Sequence, residues 1–259
     1  MYTKADLKTH LSGMGIRPQG SLLIHSSMKA IGDVENGADT VLDAFIEYMK
    51  DGLLIFPTHT WHEDNNPGGV YNPFTEPSCV GILGNLFMKR AGVIRSWHPS
   101  HSVAALGKDA DTYTSGEELR NTPCSREGCW GKLYDRKAQI LFLGCTLKSN
   151  TFIHGVEEWN DVPERLTEEY HHYKIVNEKG QQLDYAQKCH SKKYGDVSRN
   201  YDKLLAPGLH EGIVTIGKIG DATSYLCEAK ALADMCSEFL RKDPQLFLDD
   251  SPVPEKWYK

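Results

Sequence analysis

The sequence predicts a three-layer α/β/α fold with a central mixed, largely parallel sheet and hairpin-like strands toward the C-terminus. Three observations carry this expectation. Residues 20–25, 53–56 and 139–144 are short, nearly continuous apolar runs, as expected of strands covered on both faces. Between the first two, residues 38–50 place apolar side chains at 38, 41, 42, 45, 46 and 49, which is one face of a helix. The resulting order, strand, helix, strand, is the α/β pattern.

The remaining elements follow in chain order. Residues 1–15 read as an amphipathic helix with Lys4, Asp6 and Lys8 interspersed. Asp51-Gly52 stops the second helix, and Pro57 ends the strand that follows it. Residues 58–78, rich in Asn, Pro, Gly and His, read as a long loop, and long loops in compact domains are often functional. Residues 82–90 read as a helix and 102–106 as a strand, while 107–130 look irregular, with some helix near Asp109 and Glu117. A helix begins at Asn150. Residues 170–176 and the turn Glu178-Lys-Gly-Gln suggest a hairpin, residues 212–219 a strand with a second hairpin-like turn, and residues 229–242 a closing helix. With no repeat, low-complexity tract or linker, the 259 residues read as one domain, 1–259.

Composition narrows the function classes. The chain is 40% apolar and 25% charged, ordinary for a globular protein. A net charge of −6 without a basic stripe argues against a nucleic-acid partner. No segment approaches the roughly 20 apolar residues that span a bilayer, and the N-terminus has no apolar run of signal-peptide type. Seven cysteines, odd in number and scattered, suit reduced thiols in a cytoplasmic protein. Cys124 and Cys129, and Cys189 next to His190, lack the two-pair spacing of a structural zinc site, so no metal is expected. A homodimer is compatible with the chain, and a small-molecule amine is the expected partner.

Four clusters carry candidate chemistry. His25-Ser26-Ser27-Met28 and Pro57-Thr58-His59-Thr60 close the first two strands, where ligands of open α/β sheets bind. Arg95-Ser-Trp-His98-Pro-Ser-His101-Ser102 places two titratable histidines around a proline, either as base or ligand or as anchors of their own loop. In Asn150-Thr151-Phe-Ile-His154-Gly-Val-Glu157-Glu158, a helix puts His154 and Glu157 on one face at i and i+3. A carboxylate beside an imidazole fixes its tautomer and raises its basicity, as a general base needs. A surface His–Glu pair and half of a metal site are the competing readings. The chain has no Gly-x-Ser-x-Gly elbow, Walker A loop or Gly-x-Gly-x-x-Gly turn after a strand.

In order and spacing, these clusters resemble the aminoglycoside 3-N-acetyltransferase family. The matching stretches are Ser21-Leu-Leu-Ile-His-Ser-Ser-Met-Lys-Ala-Ile-Gly32, Phe56-Pro-Thr58, Arg95–Ser102, Leu141-Phe-Leu-Gly144, Asn150–Glu157 and Gly217-Lys-Ile-Gly220, which together cover about residues 5 to 242. The resemblance implies a single α/β domain and acetyl-CoA as donor, bound along the rim of His25, Ser26, Ser27, Met28 and Thr58. It also implies an essential histidine at His154 with an acid, Glu157, close by. Direct transfer from the thioester then needs only alignment and removal of the amine proton, with donors near Thr151 or Ser102 steadying the oxyanion. His59, His98, His101 and the acids Glu63, Asp64, Glu158 and Asp161 are the expected acceptor side. The short segment 59–78 and Cys124-Ser-Arg-Glu-Gly-Cys-Trp130 depart from the family pattern. An aminoglycoside and a nucleotide-linked amino sugar are both reasonable acceptors. A CoA thioester hydrolase and a non-catalytic CoA-binding protein are the rival classes.

Overall fold

A computed structural model describes all residues except 67, and all side chains except those of 62, 63 and 67. The elements are α1 (Lys4–Gly13), β1 (Ser21–Ser26), α2 (Ala38–Tyr48), β2 (Leu53–Pro57), α3 (His62–Asn65), β3 (Val70–Tyr71), α4 (Ile82–Phe87), β4 (Ile94–Arg95), β5 (Val103–Gly107), α5 (Ala110–Thr114), α6 (Cys129–Asp135), β6 (Gln139–Leu143), α7 (Thr151–Trp159), β7 (His171–Val176), β8 (Gln182–Gln187), α8 (Leu205–His210), β9 (Val214–Ile219), β10 (Ala222–Glu228) and α9 (Ala229–Lys242). Among the described residues no helix is long and apolar enough to cross a membrane.

Seven strands form one sheet in the order β4-β5-β2-β1-β6-β10-β9. Its two faces follow from strand alternation. Leu22, Ile24, Leu54, Phe56, Leu141 and Leu143 pack with Leu7 and Leu11 of α1, Val41, Leu42 and Phe45 of α2, and Leu83 and Phe87 of α4. The intervening Leu23, Leu53, Ile55, Ile140 and Phe142 pack with Trp130 of α6, Phe152 and Val156 of α7, and Leu232 and Phe239 of α9. This is the three-layer α/β/α arrangement. The continuous apolar runs of β1, β2 and β6 arise because each strand supplies both cores.

The sheet is mixed, but its parallel part is confined to β2-β1-β6. The outer pairings, β5 on β2, β4 on β5, β10 on β6 and β9 on β10, are all antiparallel, which corrects the expectation of a largely parallel sheet. The connections explain two of them. β4 reaches β5 through residues 96–102, and β9 turns into β10 at Gly220-Asp221, too short for the dozen or more residues a parallel return requires. The expected hairpin at 170–176 forms as β7 and β8, but outside the main sheet: with β3 it makes a separate three-stranded sheet around Tyr71, Tyr173, Ile175 and Tyr185.

Two features shape the rim at the C-terminal ends of β1, β2 and β6. Gly144 leaves β6 with φ +68°, and a Cβ there would lie 2.4 Å from that of Ala30, so only glycine lets the two turns meet. Arg95 pins the segment after β2. Its guanidinium donates to the carbonyls of Thr58 at 2.6 Å and Glu76 at 2.5 Å and stands over the Tyr71 ring.

Candidate active site

A cavity of about 630 Å³ opens at this rim. The ends of β1 and β2 contribute His25, Ser26 and Pro57; α4 contributes Gly84; the start of α7 contributes Thr151 and His154. The loop after β8 contributes His190 and Lys192, and His59, Trp61, Asp64, His101, Lys148, Arg165 and Asp196 complete the wall. The site lies beyond the carboxyl ends of the parallel strands, where α/β sheets bind ligands.

α7 places His154 and Glu157 one turn apart, as their spacing predicts. Their side chains approach only to 3.6 Å, because the hydroxyl of Tyr201 lies between them. Tyr201 stands in a 3-10 segment (Val197–Leu204) and is fully buried. Its hydroxyl donates to Glu157 Oε2 at 2.6 Å and lies 2.7 Å from His154 Nδ1. Glu157 Oε1 accepts a bond of 2.5 Å from Arg165 Nε. Burial alone would raise the Glu157 carboxyl, but the contacts from His154, Arg165 and Tyr201 hold it below the ordinary range. A carboxylate can only accept, so the single Tyr201 proton goes to Glu157, and the tyrosine oxygen accepts from His154 Nδ1–H. The unprotonated nitrogen of neutral His154 is therefore Nε2. Burial and the Glu157 charge keep Tyr201 protonated, well above the ordinary tyrosine range.

His154 belongs to a run of imidazoles. It stacks on His190 at 4.4 Å; His190 meets His101 edge-on at 4.8 Å, and His101 lies 4.9 Å from His59. Burial, reinforced by mutual repulsion, pulls His59, His101 and His190 well below the usual histidine range. Burial alone takes His25, stacked on Phe142, down to about 3. His59 Nε2 bonds the Thr151 hydroxyl at 3.1 Å, at the N-terminus of α7. Backbone N–H groups of that first helical turn lack intrahelical partners and favour developing negative charge.

Several expected residues stand elsewhere. Thr58 and Ser102 are fully buried and do not line the cavity: their hydroxyls lie 3.0 Å apart and both accept from Arg95 Nε. Ser27 and Met28 also lie off the wall. Ser27 N–H donates to the Leu143 carbonyl, and Met28 opens a 3-10 turn. His98 is an anchor of its own loop. Its Nδ1 accepts the N–H of His101 at 3.0 Å, its Nε2 lies 3.1 Å from the Thr122 carbonyl, and burial pulls it down to about 4. Glu158 points away from the cavity, onto His190 Nε2 at 3.0 Å and the N–H of Cys124, and burial pushes its carboxyl up to about 7. Asp161 is exposed beyond α7. Asp64 does line the wall, paired with Lys192; the side chain of Glu63 lies outside the described residues. Sequence reading missed Tyr201 and Arg165, which sit in no motif. It met His190 only as the neighbour of Cys189.

The aminoglycoside 3-N-acetyltransferase family model matches residues 23–241. Aminoglycoside N(3)-acetyltransferase IV of Salmonella sp is 25% identical over 251 residues, covering 95% of this chain and 90% of that protein. Aminoglycoside N(3)-acetyltransferase III of Salmonella sp is 27% identical over 183 residues, covering 64% of this chain, and the match spans 63% of that enzyme's length. The solved structure of AAC-IIIb with CoASH superposes with a TM-score of 0.82 at 20% identity, covering 98% of this chain and 99% of that one, a likeness of fold. With a family model spanning most of the chain and an α/β/α frame shared with its solved relatives, this protein belongs to the aminoglycoside 3-N-acetyltransferase family, a family of acyltransferases.

Proposed function

We propose that the protein transfers the acetyl group of acetyl-CoA directly to a primary amine of an aminoglycoside or related amino sugar, with His154 as general base. The observation that carries this is the chain Arg165–Glu157–Tyr201–His154, which engages Nδ1 of a histidine on the cavity wall and leaves its Nε2 for a substrate proton. The donor enters along the rim of His25, Ser26, Pro57 and Thr151. The amine nitrogen attacks the thioester carbonyl carbon, Nε2 takes the amine proton, the C–S bond breaks, and the CoA sulfur receives that proton. A thioester is already activated, so holding donor and amine in register removes much of the barrier. The N–H groups opening α7 face the oxyanion. His154 takes the reacting proton; Tyr201, Glu157 and Arg165, bonded in series behind it, position its ring. The fold's accommodation of CoASH in AAC-IIIb supports the donor.

A second acceptor class is favoured by the charges of the wall. Glu157 and Glu158 are committed to internal bonds and Asp64 to Lys192, while Arg165 keeps a buried Nη2 without a hydrogen-bond partner. Together with Lys148, only loosely paired with Asp202 at 3.8 Å, this suits an amino sugar that carries an anionic group, such as a nucleotide-linked one. Thiol release from acetyl-CoA, followed across aminoglycosides, simple amino sugars and nucleotide-linked amino sugars, tests both readings. Amine-dependent release is the expected result. Release without any amine would mean a hydrolase instead.

Tyr201→Phe tests the relay. With the hydroxyl gone, kcat is expected to fall about 10–100-fold, the usual cost of losing a partner that orients a functional histidine. KM for acetyl-CoA should hold, and the pH profile of kcat should move. A lower melting temperature with an unmoved pH profile would reduce Tyr201 to packing.

A further inference from the structure

At the cavity wall and just behind it, the fold gathers three side chains to which the transfer assigns no role. Cys124 comes from the loop before α6, Glu158 from the far side of α7, and His190 from the loop after β8. One donor atom of each, thiol sulfur, carboxylate oxygen and imidazole nitrogen, lies within 4.8 Å of the others. His190 Nε2 is 3.0 Å from Glu158 Oε1, which also accepts the Cys124 N–H at 3.0 Å. The other carboxylate oxygen, Oε2, is buried without a hydrogen-bond partner, on a side chain only 5% exposed. Leaving a buried carboxylate oxygen unmatched is costly, and such groups call for an explanation.

We infer that Cys124, Glu158 and His190 form a binding site for a single zinc ion. Sulfur, nitrogen and oxygen donors are the zinc set, and three protein ligands leave a fourth position for water or another ligand. With bond lengths of ~2.0–2.3 Å, tetrahedral ligands stand roughly 3.3–3.8 Å apart. The three atoms reach that spacing by closing about 1.5 Å at most. Glu158 Oε2 gains the partner it lacks. Binding releases the Cys124 thiol proton, and any proton on Glu158, to solvent. The ion holds His190 as a neutral imidazole, and His154 stacks on that ring at 4.4 Å. The metal thus stiffens one wall of the site without taking part in the transfer. Sequence spacing hides this site, because its ligands are 34 and 32 residues apart along the chain.

Cobalt(II) added to the metal-free protein tests this directly. One equivalent should give tetrahedral visible bands and a thiolate-to-cobalt charge-transfer band, and one equivalent of zinc should bleach both. Cys124→Ser should abolish the charge-transfer band, and Glu158→Gln should weaken zinc binding at least about tenfold, with circular dichroism confirming the fold of each. If either variant fails to fold, zinc-edge X-ray absorption of the unaltered protein decides: one sulfur at ~2.3 Å with nitrogen or oxygen at ~2.0 Å supports the site. An all-oxygen shell, a weak octahedral cobalt spectrum, or a charge-transfer band that survives in a folded Cys124→Ser overturns it.

Discussion

His154→Ala lowers kcat by roughly 10²–10⁴-fold while KM for acetyl-CoA changes less than about threefold, the range for loss of a positioned general base. The separation follows from where His154 stands. Its Nδ1 is spent on Tyr201, which leaves Nε2 for the amine, and a donor lying along the ends of β1 and β2 touches other residues. The imidazolium that forms when His154 takes the amine proton has a compensating charge in place. Glu157, buried and held ionised, lies 3.6 Å from Nδ1, and the Tyr201 hydroxyl joins the two. Steady-state kinetics with each substrate varied, on a variant whose melting temperature is unchanged, checks this. A fall confined to KM for the amine would instead make His154 an acceptor contact.

Acid instability is the second large effect. His25, His59, His98, His101 and His190 all sit below the ordinary histidine range in the folded protein, two of them at about 3 and about 4. The unfolded chain takes up these protons near pH 6.5, whereas the folded chain refuses them until far lower pH. Stability from each is complete above about pH 6.5 and drains as pH falls toward the folded values, at about 1.4 kcal/mol per pH unit per histidine. Glu158 opposes this. With its folded value near 7, the folded state holds a proton that the unfolded chain releases above about 4.5, which offsets roughly one histidine. Glu157 adds to the acid loss only below the ordinary carboxylate range. Against a typical total of about 5–15 kcal/mol, the remaining slope makes the protein acid-labile below about pH 6.5. Urea midpoints measured from pH 8 to pH 5 should fall steeply below 6.5. A flat series would mean that these histidines are protonated in the folded state.

How much of this was legible depended on whether the physics is local. β1, β2, β6, α2 and α9 follow from runs and periodicities that each strand or helix carries by itself, and the expected and observed bounds of α9 coincide. α6 was unreadable for the opposite reason. Its Gly131 backs so closely onto Arg126 that a Cβ would meet the Arg126 carbonyl at 1.7 Å, so the turn into the helix demands glycine, the residue whose propensity argues against a helix. β4, only two residues long, carries no period at all. The hairpin-like turn after 212–219 already implied that β9 and β10 run antiparallel, whereas the directions of β5 and β10 against β2 and β6 were not legible, because a strand's own residues do not say which way a neighbour distant in sequence runs. In the site, the i, i+3 placement of His154 and Glu157 was legible because one helix sets it. Tyr201 was not: it arrives from 44 residues away to fill the gap that the helix leaves. His98 and His101 look equivalent in Trp-His-Pro-Ser-His, yet the loop turns one inward onto Thr122 and the other onto the cavity.

The measurement that bears most directly on the central claim is amine-dependent thiol release from acetyl-CoA by the unaltered protein, with mass spectrometry of the acceptor. Release matched by one added acetyl group on a primary amine, and lost in His154→Ala, is what direct transfer with a histidine base predicts. Equal release with and without amine, or undiminished transfer in His154→Ala, would contradict it.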